Sequence, residues 1–171
     1  MLSAEYIIKK FNLKPLPVEG GFYSQTYRSS ERIPKTALPD RYISNRPIGS
    51  AIYYLLTPQT CSALHRLKSD EIYHFYLGDP VIMLQLHPSG AARTIELEHD
   101  INKGRQLQVV VPKEVWQGSC LQERGKFALL GTTMAPGYDD SDFEPGNRDD
   151  LIRRYPEFRE LVARLTHQEQ T

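Results

Sequence analysis

The sequence predicts an all-β protein, a sandwich or barrel of short strands with helices near its two ends, and three observations predict it. Between Ile48 and Met134, apolar and aromatic residues recur in short runs, many with the two-residue period of a strand. The runs are punctuated by Pro58, Gly78-Asp79-Pro80, Pro88-Ser89-Gly90, Lys103-Gly104, Pro112-Lys113 and Arg124-Gly125, which supply turn geometry. Outside that region the apolar residues fall on helical stripes.

In chain order, Ser3 is placed to cap a helix whose stripe is Ile7, Ile8 and Phe11, and Pro15 and Pro17 end it. Gly20-Gly21 suits a turn. The alternation of Tyr23, Gln25 and Tyr27 against Ser24, Thr26 and Arg28 then predicts a strand over 22–29. Residues 30–47 are polar and broken by Pro34, Pro39 and Pro47, which predicts a surface excursion able to act as a mobile lid. Strands are expected over 50–57, 62–67, 71–77, 81–86, 92–98, 107–111, 115–121 and 126–134. The run Asp139-Asp140-Ser141-Asp142 reads as solvated loop. Asn147 caps a helix carrying Leu151 and Ile152, and Pro156 opens another carrying Phe158, Leu161, Val162 and Leu165. Both are expected to pack outside the barrel. The organisation is one domain over 1–171, with a barrel core at about 16–135 and C-terminal helices at about 147–167.

Composition narrows the partners. With 21 basic and 21 acidic residues the formal net charge is zero, so no long-range field draws the chain to nucleic acid or to an anionic membrane. The N-terminal ten residues lack the basic start and apolar run of a secretory signal, and no stretch approaches the ~20 apolar residues of a membrane span. A soluble cytoplasmic protein is the expectation, with Cys61 and Cys120 as buried thiols.

The stretch C-S-A-L-H-R-L-K-S-D-E-I-Y-H-F-Y-L-G-D-P over 61–80 organises the rest. Strand parity groups Cys61, Ala63, His65 and Leu67; then Glu71, Tyr73, Phe75 and Leu77; then Val115, Gln117, Ser119 and Leu121. If these sets face one interior, His65, Glu71 and Gln117 converge. The same parity turns His74 and Trp116 away from the pocket. His87, His99 and His167, near turns or in the tail, read as solvated.

The spacing from His65 through Glu71 to Gly78 resembles the first cupin motif, G-x5-H-x-H-x3-4-E-x6-G, and Val111-Pro112 to Gln117 resembles the second, G-x5-P-x-G-x2-H-x3-N. Gln59, Leu67, Glu114, Gln117 and Leu121 stand where those motifs place glycine, histidine, glycine, histidine and asparagine. The chain resembles more closely the cupin 5 family, also called domain of unknown function 985. The shared stretches are P-V-E-G-G-F-Y-S-Q-T-Y-R-S from Pro17, S-A-I-Y-Y-L-L-T from Ser50, the run from His65 to Pro80, and T-M-A-P-G-Y-D-D-S-D-F-E from Thr133. The resemblance implies a double-stranded β-helix (jelly roll), usually dimeric, related in shape to deoxysugar epimerases, with no settled activity.

The chemistry expected of the pocket is a small polar, carbohydrate-like ligand, bound or isomerised without a required cofactor. His65 and Glu71 form the acid/base pair, because a carboxylate can orient an imidazole as a general base, and Tyr23 and Tyr53 are the candidate acids. Glu19 and Arg28 at the barrel mouth, with Tyr73, Phe75 and Gln117, are the expected ligand contacts. The alternatives are a divalent-metal oxygenase or isomerase using His65, Glu71 and Gln117 as ligands, and a non-catalytic binding module. Leu67 and Gln117 weaken the metal set, because two imidazoles and a carboxylate suit iron better than an amide does.

Overall fold

The fold begins at the helix cap the sequence announces. In the computed structural model, which describes residues 2–166, Ser3 Oγ accepts from Tyr6 N–H at the start of α1 (Ala4–Phe11). There follow β1 (Lys14–Pro15), β2 (Phe22–Arg28), β3 (Arg32–Ile33), β4 (Arg46–Pro47), β5 (Ser50–Leu56), β6 (Cys61–Arg66), β7 (Glu71–Gly78), β8 (Val81–Leu86) and β9 (Ala92–Leu97). Then come β10 (Gln108–Val111), β11 (Trp116–Leu121), β12 (Ala128–Met134), β13 (Glu144–Pro145), α2 (Arg148–Arg154) and α3 (Arg159–Arg164). Asn147 caps α2 through its side-chain oxygen, and Pro156 opens a 3-10 turn that leads into α3.

Two antiparallel sheets form the body, in the orders β1-β2-β5-β12-β7-β10 and β13-β6-β11-β8-β9. From β5 to β8 consecutive strands change sheet at each step, so the chain winds as a jelly roll rather than a meander. The inner faces meet around Tyr54, Leu56, Tyr73, Phe75, Met83, Leu97 and Leu130, drawn from both sheets. On the outside, α1 covers Leu55 and Leu129 of the first sheet through Ile7. Helices α2 and α3 cover Leu64, Leu84 and Trp116 of the second through Leu151 and Val162. Those burials tie both ends of the chain to the barrel.

Three local features overturn expectations. The β6–β11 ladder pairs Gln117 with His65 but Ser119 with Ser62, so β6 carries one extra residue between them. That bulge reverses parity. Cys61 leaves the His65 set and packs on the outer cluster, while Ser62 faces inward. A second shift pairs Leu130 with Phe75 but Leu129 with Leu77, which sends Leu77 to the α1 side.

The third concerns the excursion 30–47, which is anchored and not a lid. Tyr42 and Arg46 within it are fully buried, and the Tyr42 hydroxyl bonds Ser69 Oγ at 2.8 Å. Arg46 Nη2 reaches Asp142 Oδ1 at 2.6 Å, both side chains completely excluded from solvent. The acidic run is therefore not wholly solvated, since its last member is the counter-charge of a buried guanidinium.

Candidate functional site

Glu19 enters the barrel on a turn that only glycine permits. Gly20 and Gly21 have φ of 93° and 71°, and a Cβ on Gly20 would lie 2.4 Å from the Cys61 carbonyl oxygen. The turn is pinned by Ala63 N–H donating to Glu19 O at 2.7 Å and by the Tyr54 hydroxyl donating to Gly20 O at 2.9 Å. Its carboxylate accepts from Ser62 Oγ at 2.9 Å, the residue the β6 bulge turned inward.

Glu71, at the start of β7, accepts from Gln117 Nε2 at 2.7 Å across the barrel. Burial pushes its carboxyl above the ordinary carboxylate value, and the charge of Glu19 adds to that rise. Nearby His65, with hydrogen bonds from Thr132 and Gln117, works in the opposite direction. The Tyr54 hydroxyl is driven well up by burial and then by the Glu19 charge, so it remains a neutral phenol.

His65 is 1% exposed. Its Nδ1 lies 2.7 Å from Ala63 O, and because a carbonyl only accepts, that nitrogen carries the proton. Its Nε2 stands 4.0 Å from Glu19 Oε2, and Phe143 stacks on the ring with centroids 5.1 Å apart. His65 thus bears on Glu71 only through its charge: the hydrogen bond to Glu71 comes from Gln117, and the carboxylate that His65 Nε2 faces is Glu19. The physical reason is register: His65 pairs with Gln117 on the neighbouring strand, and the amide, not the imidazole, reaches across to the carboxyl.

A cavity of about 80 Å³ lies in front of the two carboxyl groups. That is room for several waters or a small polar molecule. Its wall is formed by Glu19, Glu71, Tyr23, Tyr54, Thr132 and Tyr138, with Leu16, Ile52, Leu67 and Met134 as apolar surface and Gln25, Ser50 and Ala51 completing it. His65 and Gln117 stand behind this wall.

Of the expected site residues, Glu19, Glu71 and Tyr23 face the cavity together. Tyr53 does not: its ring packs 4.8 Å from Phe11 of α1, on the outer side of the sheet. Tyr54, one residue on and in register with Tyr23, takes the inward place. Tyr73 and Phe75 are core residues outside the cavity wall, the second in edge contact with His99. Arg28 sits at the rim, where Nη1 donates to Tyr138 O at 2.9 Å.

His74 and Trp116 face away from the cavity, as parity predicts. His74 meets Thr133 and Gln108, and Trp116 lies beneath Arg66. His99 is engaged by Tyr76 O, and His167 lies outside the described residues. Sequence reading missed Tyr54, Ser62, Thr132 and Tyr138. On β5 both parity sets are apolar, so nothing distinguished Tyr54 from Tyr53, but the P-G-Y sequence after β12 offered a signal for Tyr138.

A jelly roll of two facing antiparallel sheets with polar groups between them defines a protein of cupin type. The chain belongs to the cupin superfamily family described as DUF985, whose profile matches residues 5–145. It is similar over 99% of its length to the whole of protein SO0799 from Shewanella oneidensis, at 32% identity and a TM-score of 0.86. A hypothetical protein from Leishmania major matches over 98% of this chain and 100% of its own, at 27% identity and a TM-score of 0.85. Oxalate decarboxylase from Bacillus subtilis, a protein with Mn(II) centres, shares the fold alone: 13% identity, TM-score 0.52, covering 94% of this chain and 39% of that one. No curated protein matches the chain.

The donor set here does not fit a metal centre of that kind. Among the described residues no three His, Cys, Asp or Glu side chains are grouped to hold an ion. Gln117 points its N–H, not its carbonyl, at Glu71, and Leu67 lines the cavity with hydrocarbon. No helix among the described residues is long and apolar enough to cross a membrane.

Proposed function

We propose that the chain binds a small polar, carbohydrate-like molecule in the barrel cavity and moves a proton on it, as an epimerase or isomerase does. The observation that carries this reading is Glu71, a buried carboxyl at the cavity wall whose affinity for a proton is raised, facing the same space as a second carboxylate. Environments that make two acids unequal are how proteins separate a proton donor from a proton acceptor. Glu19 takes the proton from a carbon beside the ligand carbonyl, and Glu71 supplies one to the opposite side. Tyr23 lies within the same wall as a hydrogen-bonding phenol. His65 and Gln117 are positioning residues, acting through Glu19 and Glu71 respectively.

Solvent deuterium exchange into glucose, fructose and glucosamine, followed by NMR, tests the reading. Exchange that Glu71→Gln abolishes while the melting profile stays cooperative supports it. Exchange unaffected by that change removes Glu71 from the role, and binding without exchange leaves a non-catalytic module. A stoichiometric divalent ion in protein purified without chelator would favour the metal-dependent alternative. A homodimer and a cytoplasmic location complete the proposal, the first resting on the family resemblance.

A further inference from the structure

Charge around the cavity is one-sided. Among the described residues its wall holds the carboxyl groups of Glu19 and Glu71 and no lysine, arginine or histidine side chain. Among the described residues the neighbouring cations stand outside that wall, and His65 faces Glu19 only from behind it. Arg28 spends Nη1 on Tyr138 O and its charge bears on Asp139. Arg46 is buried against Asp142. His65 donates from Nδ1 to Ala63 O, and its Nε2, 4.0 Å from Glu19 Oε2, is beyond hydrogen-bond reach. At the mouth Asp140 adds a further acid against the Tyr138 hydroxyl.

The two carboxyl groups have acceptor groups beside them. Tyr54 uses its proton on Gly20 O, which leaves the phenol oxygen only as an acceptor towards the cavity. Behind the wall, Gln117 gives its N–H to Glu71, and among the described residues its enclosed Oε1 has no partner. Tyr23, Tyr138, Thr132, Gln25 and Ser50 complete the polar wall, the tyrosines with their ring faces. Two carboxyl groups on one cavity, an acceptor-only phenol oxygen and aromatic faces together suit a group that brings N–H donors and positive charge.

We propose that the ligand of this cavity carries a protonated amine on a small hydroxylated frame, and that carboxylated or phosphorylated compounds are rejected. The ammonium sits between Glu19 and Glu71, paired with the first carboxylate and donating to the carbonyl oxygen of the second carboxyl. An anion there would meet the Glu19 carboxylate and the Glu71 carboxyl with no lysine or arginine in the wall to pair with. This rests on the reading that the cavity binds a small molecule, and it narrows the class of compound.

Calorimetric titration at low ionic strength with two matched sets tests it: ethanolamine, ethylene glycol and glycolate; and glucosamine, glucose and glucuronate. The amine of at least one set is expected to bind at least about tenfold more tightly than its neutral partner, with no heat from the acid. Glu19→Gln and Glu71→Gln, each checked for a cooperative melt, are each expected to erase that preference, while Glu123→Gln, at an exposed turn, keeps it. A neutral or acidic member binding as well as the amine overturns the amine proposal and leaves the small-molecule reading standing. If no compound in either set binds, both fall.

Discussion

At the scale of single residues, the Glu71 carboxyl is 6% exposed and shares its surroundings with Glu19, so the folded state holds its proton more firmly than an unfolded chain does. The sign follows from linkage. Starting near the ordinary value of 4.5 and up to the raised folded value, the native state binds a proton that the unfolded state has released, and stability falls as pH rises through that window. Below it, both states are protonated and nothing is lost. Glu71→Gln keeps an oxygen for Gln117 to bond and removes the charge. Its melting temperature is expected to match the parent at pH 4 and to exceed it by a few degrees at pH 8, read by thermal unfolding across that range. A parent and variant with parallel pH profiles would contradict the burial argument. Gln117→Leu does the reverse, leaving a buried carboxylate without its 2.7 Å donor. A loss of about 1–3 kcal/mol in urea unfolding, larger at pH 8 than at pH 5, is expected.

At the scale of elements, the segment between β2 and β5 is held by charge as much as by packing. Arg46 and Asp142 are completely enclosed, and Arg46 also lies over the Tyr42 ring at 5.2 Å. Removing one partner of such a pair leaves the other uncompensated. Arg46→Met is expected to cost about 3–5 kcal/mol in denaturant unfolding, and Arg46→Met with Asp142→Leu to recover most of it. Equal losses in the single and double variants would show that packing, not the stranded charge, sets the cost. Because the ion pair joins this segment to the loop carrying Tyr138, the same change should weaken ligand binding at the mouth. The bulge in β6 is the other element-scale device. It exchanges Cys61 for Ser62 on the inner face and so supplies the hydroxyl that holds Glu19.

At the scale of the whole molecule, light scattering at micromolar concentration is expected to give twice the chain mass; a monomer at every concentration would remove the dimer. Strand positions were legible because proline and glycine bound most runs, so for the strands expected, expected and observed ends differ by at most two residues, as at 126–134 against Ala128–Met134. Glu71 was legible because an acid between apolar strand neighbours needs a reason to be buried, and Glu19 and Tyr23 were legible singly, as a mouth carboxylate and a candidate acid, but not as its partners. Tyr53 and Arg46 were not: the first depends on which of two apolar faces turns inward, the second on a partner 96 positions away. By itself, then, the sequence determined the longer strands, the caps and a β-sandwich or barrel, since local periodicity and turn chemistry act over a few residues; the jelly-roll form followed from the family resemblance, and the two-residue strands β1, β3, β4 and β13 carried no signal. Only the tertiary structure decided that His65 backs Glu19 while Gln117 holds Glu71. A one-residue bulge reverses every side chain beyond it, and the reach of an amide across a barrel is a distance in space that no spacing along the chain encodes.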